Sequence, residues 1–290
     1  LQLPMTLGCL YGRGSTLYIC AEEKYFHFAD VSDPLEPVLA YSGDLVAGSF
    51  PYTSIVVHNN HVYGREEYLY DSDTYGGQFG VFDVTDPYNP FEVGYISGSN
   101  SIWRDLKYWN RHVYIGTEAA DGVKVVSVDD PDNPVLVSTI SDFGNSHNIH
   151  IDADGYLYVV GASTNDIWIY DLSMPAFPQL VGTWNDEYLH DIEVYNNKLY
   201  GAAIYSGLFY IVDVSDKTNP TTILSHDTGL EGVSTHDCAV TYDEAYLITA
   251  DETSGGHIKI WDISDYDNIN LVSEYMTHPD HSVHNVYVRP

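Results

Sequence analysis

Four pairs of residues recur along the chain with the same chemistry: His147-Asn148, His190-Asp191, His236-Asp237 and His284-Asn285. An imidazole nitrogen ligates borderline divalent cations such as zinc, and it also exchanges protons near neutral pH. Each pair opens a short stretch of alternating apolar residues. Thr53-Ser54 and Arg104-Asp105 stand at the corresponding place in two further stretches. Nearby turns carry carboxylates: Glu22, Glu23, Glu66, Glu67, Glu118, Asp251 and Glu252. Imidazoles under a collar of carboxylates make a donor set for a divalent metal, zinc or calcium. The candidate metal ligands are therefore His147, His190, His236 and His284. Arg104, Asp105, Asp191, Asp237, Glu118 and Glu252 are the candidate ligand-binding residues. The structural alternative is that each imidazole bonds a neighbour's backbone and each Asp ties down the entering loop.

A repeat must position these pairs. One phrase returns six times: FADVSDPLEP (28–37), VFDVTDPYNP (81–90), VVSVDDPDNP (125–134), IYDLSMPAFP (169–178), IVDVSDKTNP (211–220) and IWDISDYDNI (260–269). Its equivalent positions are Asp30, Asp83, Ser127, Asp171, Asp213 and Asp262, separated by 53, 44, 44, 42 and 49 residues. The repeated Asp is suited to capping the turn's N–H groups. In the fifth copy HDIEVY, KLYGAA, LFYIVDVS and PTTILSH read as four strands parted by Asn, Gly and Pro turns. Four short antiparallel strands at this period are the signature of a β-propeller blade, and a solenoid would have a shorter period.

The expected fold is thus all-β: one β-propeller domain over 1–290. Its six complete blades lie near 8–42, 54–97, 105–140, 148–184, 191–226 and 237–275. A closing or seventh-blade first strand follows at 284–288. In a propeller the first strand of each blade lines the channel. Residues at equivalent positions, the His pairs included, would then gather at one mouth.

Charge narrows the partners. Lys and Arg total 11 against 42 Asp and Glu, a net charge of −31 with His neutral. Such a surface repels phosphate backbones and anionic lipid, so nucleic-acid binding and membrane docking are disfavoured. No apolar run approaches the roughly 18 residues of a membrane span, so direct membrane insertion is not expected. The 44% apolar content supports a packed core rather than disorder. The chain opens on Leu1 without a signal peptide, as a processed secreted protein would. Cys9 and Cys20 lie on adjacent predicted strands, as a cross-strand bridge or as two buried thiols. Residues 71–77 (DSDTYGG) have the outline of a calcium loop, but Tyr75 replaces an oxygen ligand. No phosphate-binding glycine loop, nucleophile elbow, C-x-x-C or H-E-x-x-H is present.

The phrase IVDVSDKTNP and its cousins resemble the LVIVD-repeat family. The stretches SIWRDLKYWNRHVYIGTEA (101–119), NSHNIHIDADGYLYVVGA (145–162), YLHDIEVY (188–195) and STHDCAVTYDEAYLITADE (234–252) resemble the choice-of-anchor-B type within that group. The resemblance implies a secreted or cell-surface β-propeller, commonly carried by a larger anchored protein, and it implies no reaction. A binding or scaffold module with a His-rich site is the leading expectation. One alternative is a polysaccharide-active lyase or hydrolase, with a His base, Arg104 clamping an acid group and a Tyr donor. A net charge of −31 opposes anionic polymers unless the mouth is locally basic. Trp103, Trp184, Tyr188 and Tyr205 are the aromatics that would stack on sugars. The other alternative is a structural surface or adhesion component, with an unknown protein or glycan as partner.

Overall fold

A computed structural model describes residues 7–21, 25–43, 52–59, 67–73, 78–97, 103–229, 234–276 and 278–288. Among these there is no helix, and the strands form six four-stranded antiparallel sheets, the blades of a six-bladed β-propeller. Blade 1 comprises β1 (Leu7–Arg13), β2 (Thr16–Ala21), β3 (Tyr25–Asp30) and β4 (Val38–Gly43). Blade 2 comprises β5 (Tyr52–Asn59), β6 (Glu67–Asp73), β7 (Gln78–Asp83) and β8 (Phe91–Ser97). Blade 3 comprises β9 (Trp103–Trp109), β10 (His112–Thr117), β11 (Val123–Ser127) and β12 (Val135–Ile140). Blade 4 comprises β13 (Asn148–Ile151), β14 (Tyr156–Val160), β15 (Ile167–Asp171) and β16 (Gln179–Trp184). Blade 5 comprises β17 (Asp191–Tyr195), β18 (Lys198–Ala203), β19 (Leu208–Asp213) and β20 (Thr221–Asp227). Blade 6 comprises β21 (Thr235–Val240), β22 (Tyr246–Asp251), β23 (His257–Asp262) and β24 (Asn270–Met276).

The chain divides into two compact units. The first takes residues 1–146 with 174–177, and the second 147–173 with 178–290. In the first, aromatic side chains dominate the core: Tyr18, Phe26, Phe28 and Phe82 pack with Val57 and Leu69. In the second, Trp184, Leu189, Leu199 and Val212 bridge blades 4 and 5, and Tyr200, Phe209, Leu247 and Trp261 bridge blades 5 and 6. Each such side chain, fully buried, contributes about 1.5–3 kcal/mol.

The recurring phrase has a definite job. The carboxylate of its first Asp accepts the N–H two residues on, as in Asp30 to Ser32 (2.9 Å), Asp83 to Thr85 (2.9 Å), Asp171 to Ser173 (2.6 Å), Asp213 to Ser215 (2.8 Å) and Asp262 to Ser264 (3.0 Å). These are Asx turns, which stop β3, β7, β15, β19 and β23. Three residues on, a second carboxylate repeats the device, as in Asp216 accepting the Thr218 N–H at 3.0 Å. The turn then seats against the outer strand of the preceding blade. A Cβ at Gly182 would stand 2.0 Å from the Lys217 carbonyl, and one at Gly94 would stand 2.5 Å from that of Pro131. At the matching place in β12, Ser138 instead donates to the Ala176 carbonyl at 2.6 Å.

The first strand of each blade is a sheet edge with N–H groups that no ladder satisfies. In blades 5 and 6, side chains of the preceding blade supply acceptors. The Val194 N–H donates to His150 Nε2 at 3.4 Å, and the Val240 N–H donates to Glu193 Oε2 at 2.7 Å.

Three expectations need correction or bounding. Residues 284–288 form no strand: the Val286 N–H donates to Asp237 Oδ2 at 2.9 Å, a side-chain acceptor in place of a ladder partner. The calcium-loop outline begins on a strand rather than a loop, with Asp71 and Ser72 buried in β6, while residues 74–77 lie outside the described residues. Cys9 and Cys20 face each other in the β1–β2 register, but their side chains lie outside the described residues.

Candidate metal centre

In the second unit the starts of β13, β17 and β21 stand side by side; His147 and His190 immediately precede β13 and β17, and His236 is the second residue of β21. The His147 N–H donates to the Val160 carbonyl at 3.0 Å, and the His190 N–H to that of Ala202 at 2.7 Å. Both residues therefore extend the first-to-second strand ladder of their own blade by one step, which fixes the direction of each side chain. Four imidazoles of the second unit, those of His147, His190, His236 and His284, converge. The rings of His147 and His190 stack with centroids 3.7 Å apart. His236 meets His190 edge-on at 4.6 Å and His147 at 6.1 Å, and His284 lies 3.9 Å from His236.

Two triads of donor atoms result. His147, His190 and His236 offer one nitrogen each, all within 4.8 Å of one another; so do His236 and His284 with a carboxylate oxygen of Glu252. The first triad is largely dry, with His236 only 1% exposed. The second opens outward, the side chain of His284 being 56% exposed.

Carboxylates stand beside the rings. Asp191, itself buried, places Oδ1 3.9 Å from His147 Nε2 and Oδ2 3.5 Å from His236 Nδ1. Glu252 places Oε2 3.6 Å from His236 Nε2 and Oε1 3.7 Å from His284 Nε2. The Tyr188 hydroxyl stands 3.4 Å from His190 Nδ1. The buried Nδ1 of His236 has no hydrogen bond of normal geometry. An atom in that condition is unusual, since buried polar groups almost always find partners.

Burial sets the protonation states. Desolvation, with the neighbouring imidazoles of His284, His190 and His147, pushes the His236 pKa down to about 2. At neutral pH the ring is uncharged, so its approaches to Asp191 and Glu252 are not ion pairs. Burial raises the Asp237 carboxyl to about 7, opposed by N–H groups of Val286, Cys238 and Asn285 and reinforced by the charge of Glu193. The Asn285 side chain donates to both Asp191 (3.3 Å) and Asp237 (3.4 Å), linking the two carboxylates. Burial, then the charges of Asp237, Glu193 and Asp191, holds the Cys238 thiol well above its ordinary range and leaves it unreactive.

The other candidates sit elsewhere. Arg104 lies on β9, with a side chain outside the described residues, so the clamp of the lyase reading has no described geometry. Asp105 accepts the Leu106 N–H at 2.9 Å and pairs with Lys107. Glu118 follows β10, half-buried. Asp105 and Glu118 belong to the first unit. Trp184 is buried against Tyr210 and donates to Thr222 at 3.0 Å, which removes it from the sugar-stacking set. Tyr188 and Tyr205 lie 4.9 Å apart beside His190.

The model of the LVIVD repeat matches residues 144–186 and again 188–228. The chain carries LVIVD repeats. These two matches cover blades 4 and 5, and each begins just before an opening histidine, His147 or His190. No curated protein matches the chain. Among solved structures it is similar to a functionally unknown protein from Desulfotomaculum acetoxidans DSM 771 at a TM-score of 0.76. That likeness carries 12% identity and covers 98% of this chain and 89% of the other, and it supports the fold alone.

Proposed function

We propose that this chain is a binding module whose LVIVD-repeat blades hold a divalent transition metal, of which zinc is the type, at His147, His190 and His236. One observation carries the reading: three imidazole nitrogens from three different blades lie within 4.8 Å of one another. Zinc–nitrogen bonds of about 2.0–2.1 Å would draw the rings in by roughly 1 Å. Asp191 then serves as fourth ligand or as the group that orients His147 and His236, and the Tyr188 hydroxyl orients His190. The net charge of −31 favours cation capture over an anionic polymer. An extracellular or cell-surface setting, of the choice-of-anchor-B kind, belongs to this reading and rests on the stretches quoted above. A scaffold role for a protein or glycan partner is compatible with it.

The test is zinc titration of chelator-treated protein by calorimetry, with elemental analysis after dialysis. The parent retains zinc, while His190→Ala and His236→Ala lose it although folded by circular dichroism. A parent that takes up no divalent transition metal overturns the proposal.

A further inference from the structure

The two ring nitrogens of His236 look in opposite directions, each toward its own set of donors. Nδ1 faces Asp191 Oδ2 at 3.5 Å, on the side where Asp191 Oδ1 also approaches His147 Nε2. Nε2 faces Glu252 Oε2 at 3.6 Å, and the other oxygen of that carboxylate approaches His284 Nε2 at 3.7 Å. His236 is a member of both donor triads, the inner one with His147 and His190 and the outer one with Glu252 and His284. The Nδ1 atom has no hydrogen bond of normal geometry, and the ring also meets the His284 backbone, a contact that an outer ion would replace.

We propose that His236 bridges two divalent metal ions, one inner and one outer, as an imidazolate. The proposal rests on the metal-binding reading given above and extends it to a second ion. Coordination through both nitrogens displaces the ring N–H proton, which leaves to solvent as the second ion binds, so the charge on the bridge falls by one. Two metal–nitrogen bonds of about 2.0–2.1 Å on opposite sides of one ring set the ions about 6 Å apart. The inner ion takes three imidazoles in a dry site. The outer ion takes two imidazoles and a carboxylate on the solvent side, with coordination positions left for water or an incoming ligand. That division is the one between a closed site and an open one. The outer ion is the exchangeable one, and an anionic or carbonyl ligand of a partner would enter there.

Metal-free protein titrated with cobalt(II) and followed by its visible absorption takes up two equivalents. Glu252→Gln and His284→Gln each take up one equivalent with the first binding step unchanged, and His236→Gln loses the outer step and weakens the inner one at least tenfold. Loaded with copper(II), the parent shows the magnetic coupling of ions joined through one imidazolate, seen as loss of normal paramagnetic resonance intensity, and Glu252→Gln does not. One equivalent in the parent, insensitive to Glu252→Gln and His284→Gln, overturns the bridge while leaving the inner site standing. Two equivalents with full, uncoupled intensity also overturn it. No uptake at all removes the bridge and the metal-binding reading together.

Discussion

Gly161 gives its side-chain space to His147: a Cβ built on Gly161 would lie 2.3 Å from the Cβ of His147. Gly161 also has φ +65° and donates its N–H to the Leu189 carbonyl at 3.0 Å, one residue before His190. One small residue thus sets the position of two candidate ligands. Gly161→Ala combines a clash with left-handed backbone strain and is expected to destabilise the protein by about 2 kcal/mol or more. It should also abolish zinc uptake. Denaturant unfolding and calorimetry check the two effects.

Tyr188→Phe removes only the hydroxyl 3.4 Å from His190 Nδ1. Loss of an orienting partner costs roughly 10-fold or more in metal affinity with little loss of fold. The expected result is a weaker zinc binding constant at an almost unchanged Tm in the metal-free protein.

Two buried groups give the metal-free protein opposite pH responses. His236 falls from an ordinary 6.5 to about 2 in the fold, so the unfolded chain takes up a proton that the native state refuses. Its contribution is complete above 6.5 and declines as pH falls toward 2. Asp237 rises from 3.8 to about 7, so the native state keeps a proton that the unfolded chain has shed. Its contribution is complete below 3.8 and is lost as pH rises through 7. Between about 4 and 6.5 the two slopes cancel. Relative to the parent, His236→Gln should therefore lose stability with rising pH across that window, and Asp237→Asn should lose it with falling pH. Tm profiles of the three proteins, recorded without metal, measure this.

The Val240 N–H on the edge of blade 6 depends on Glu193 as its acceptor. Glu193→Ala leaves it unsatisfied at a cost of about 1–3 kcal/mol. Glu193→Gln keeps an oxygen in place and should recover most of that loss, which equilibrium unfolding of the two variants will show.

At Asp83 the turn carboxylate is buried as well as bonded to the Thr85 N–H. Asp83→Ala should cost about 1 kcal/mol. Ser127 holds the same place in blade 3 with a longer bond of 3.4 Å to the Asp129 N–H. Ser127→Asp should lower Tm, because the Ser127 hydroxyl donates to Asp129 Oδ2 at 3.2 Å and a carboxylate in its place would face that of Asp129.

The blades were legible because the turn chemistry is local: an Asp two residues before a Ser or Thr N–H reads the same in the sequence and in the fold. The convergence of His147, His190 and His236 was legible from register alone, since each stands at the start of the first strand of its blade, whereas His284 joins them with no strand following it. HNVYV at 284–288 misled, because its alternation is that of a strand while the Asp237 carboxylate takes the Val286 N–H. Asp191 was visible as half of a pair, but its reach to both His147 and His236 was not. The roles of Glu193, His150 and Gly161 were hidden for one reason: each acts on the neighbouring blade, and a single strand's pattern says nothing about its neighbour's edge. Trp184 misled in the opposite sense, as an aromatic near a turn that proved to be core.

Within every sheet, hydrogen-bonded neighbours are consecutive strands, so blade contacts are short-range in sequence. The imidazole cluster is different, joining residues from 147 to 284. An ion held there would add one long-range closure to three blades that otherwise meet only through their shared cores and edge hydrogen bonds. Its removal would then show first as lost cooperativity, with blades 4, 5 and 6 melting over a broader range, before any one strand pairing failed.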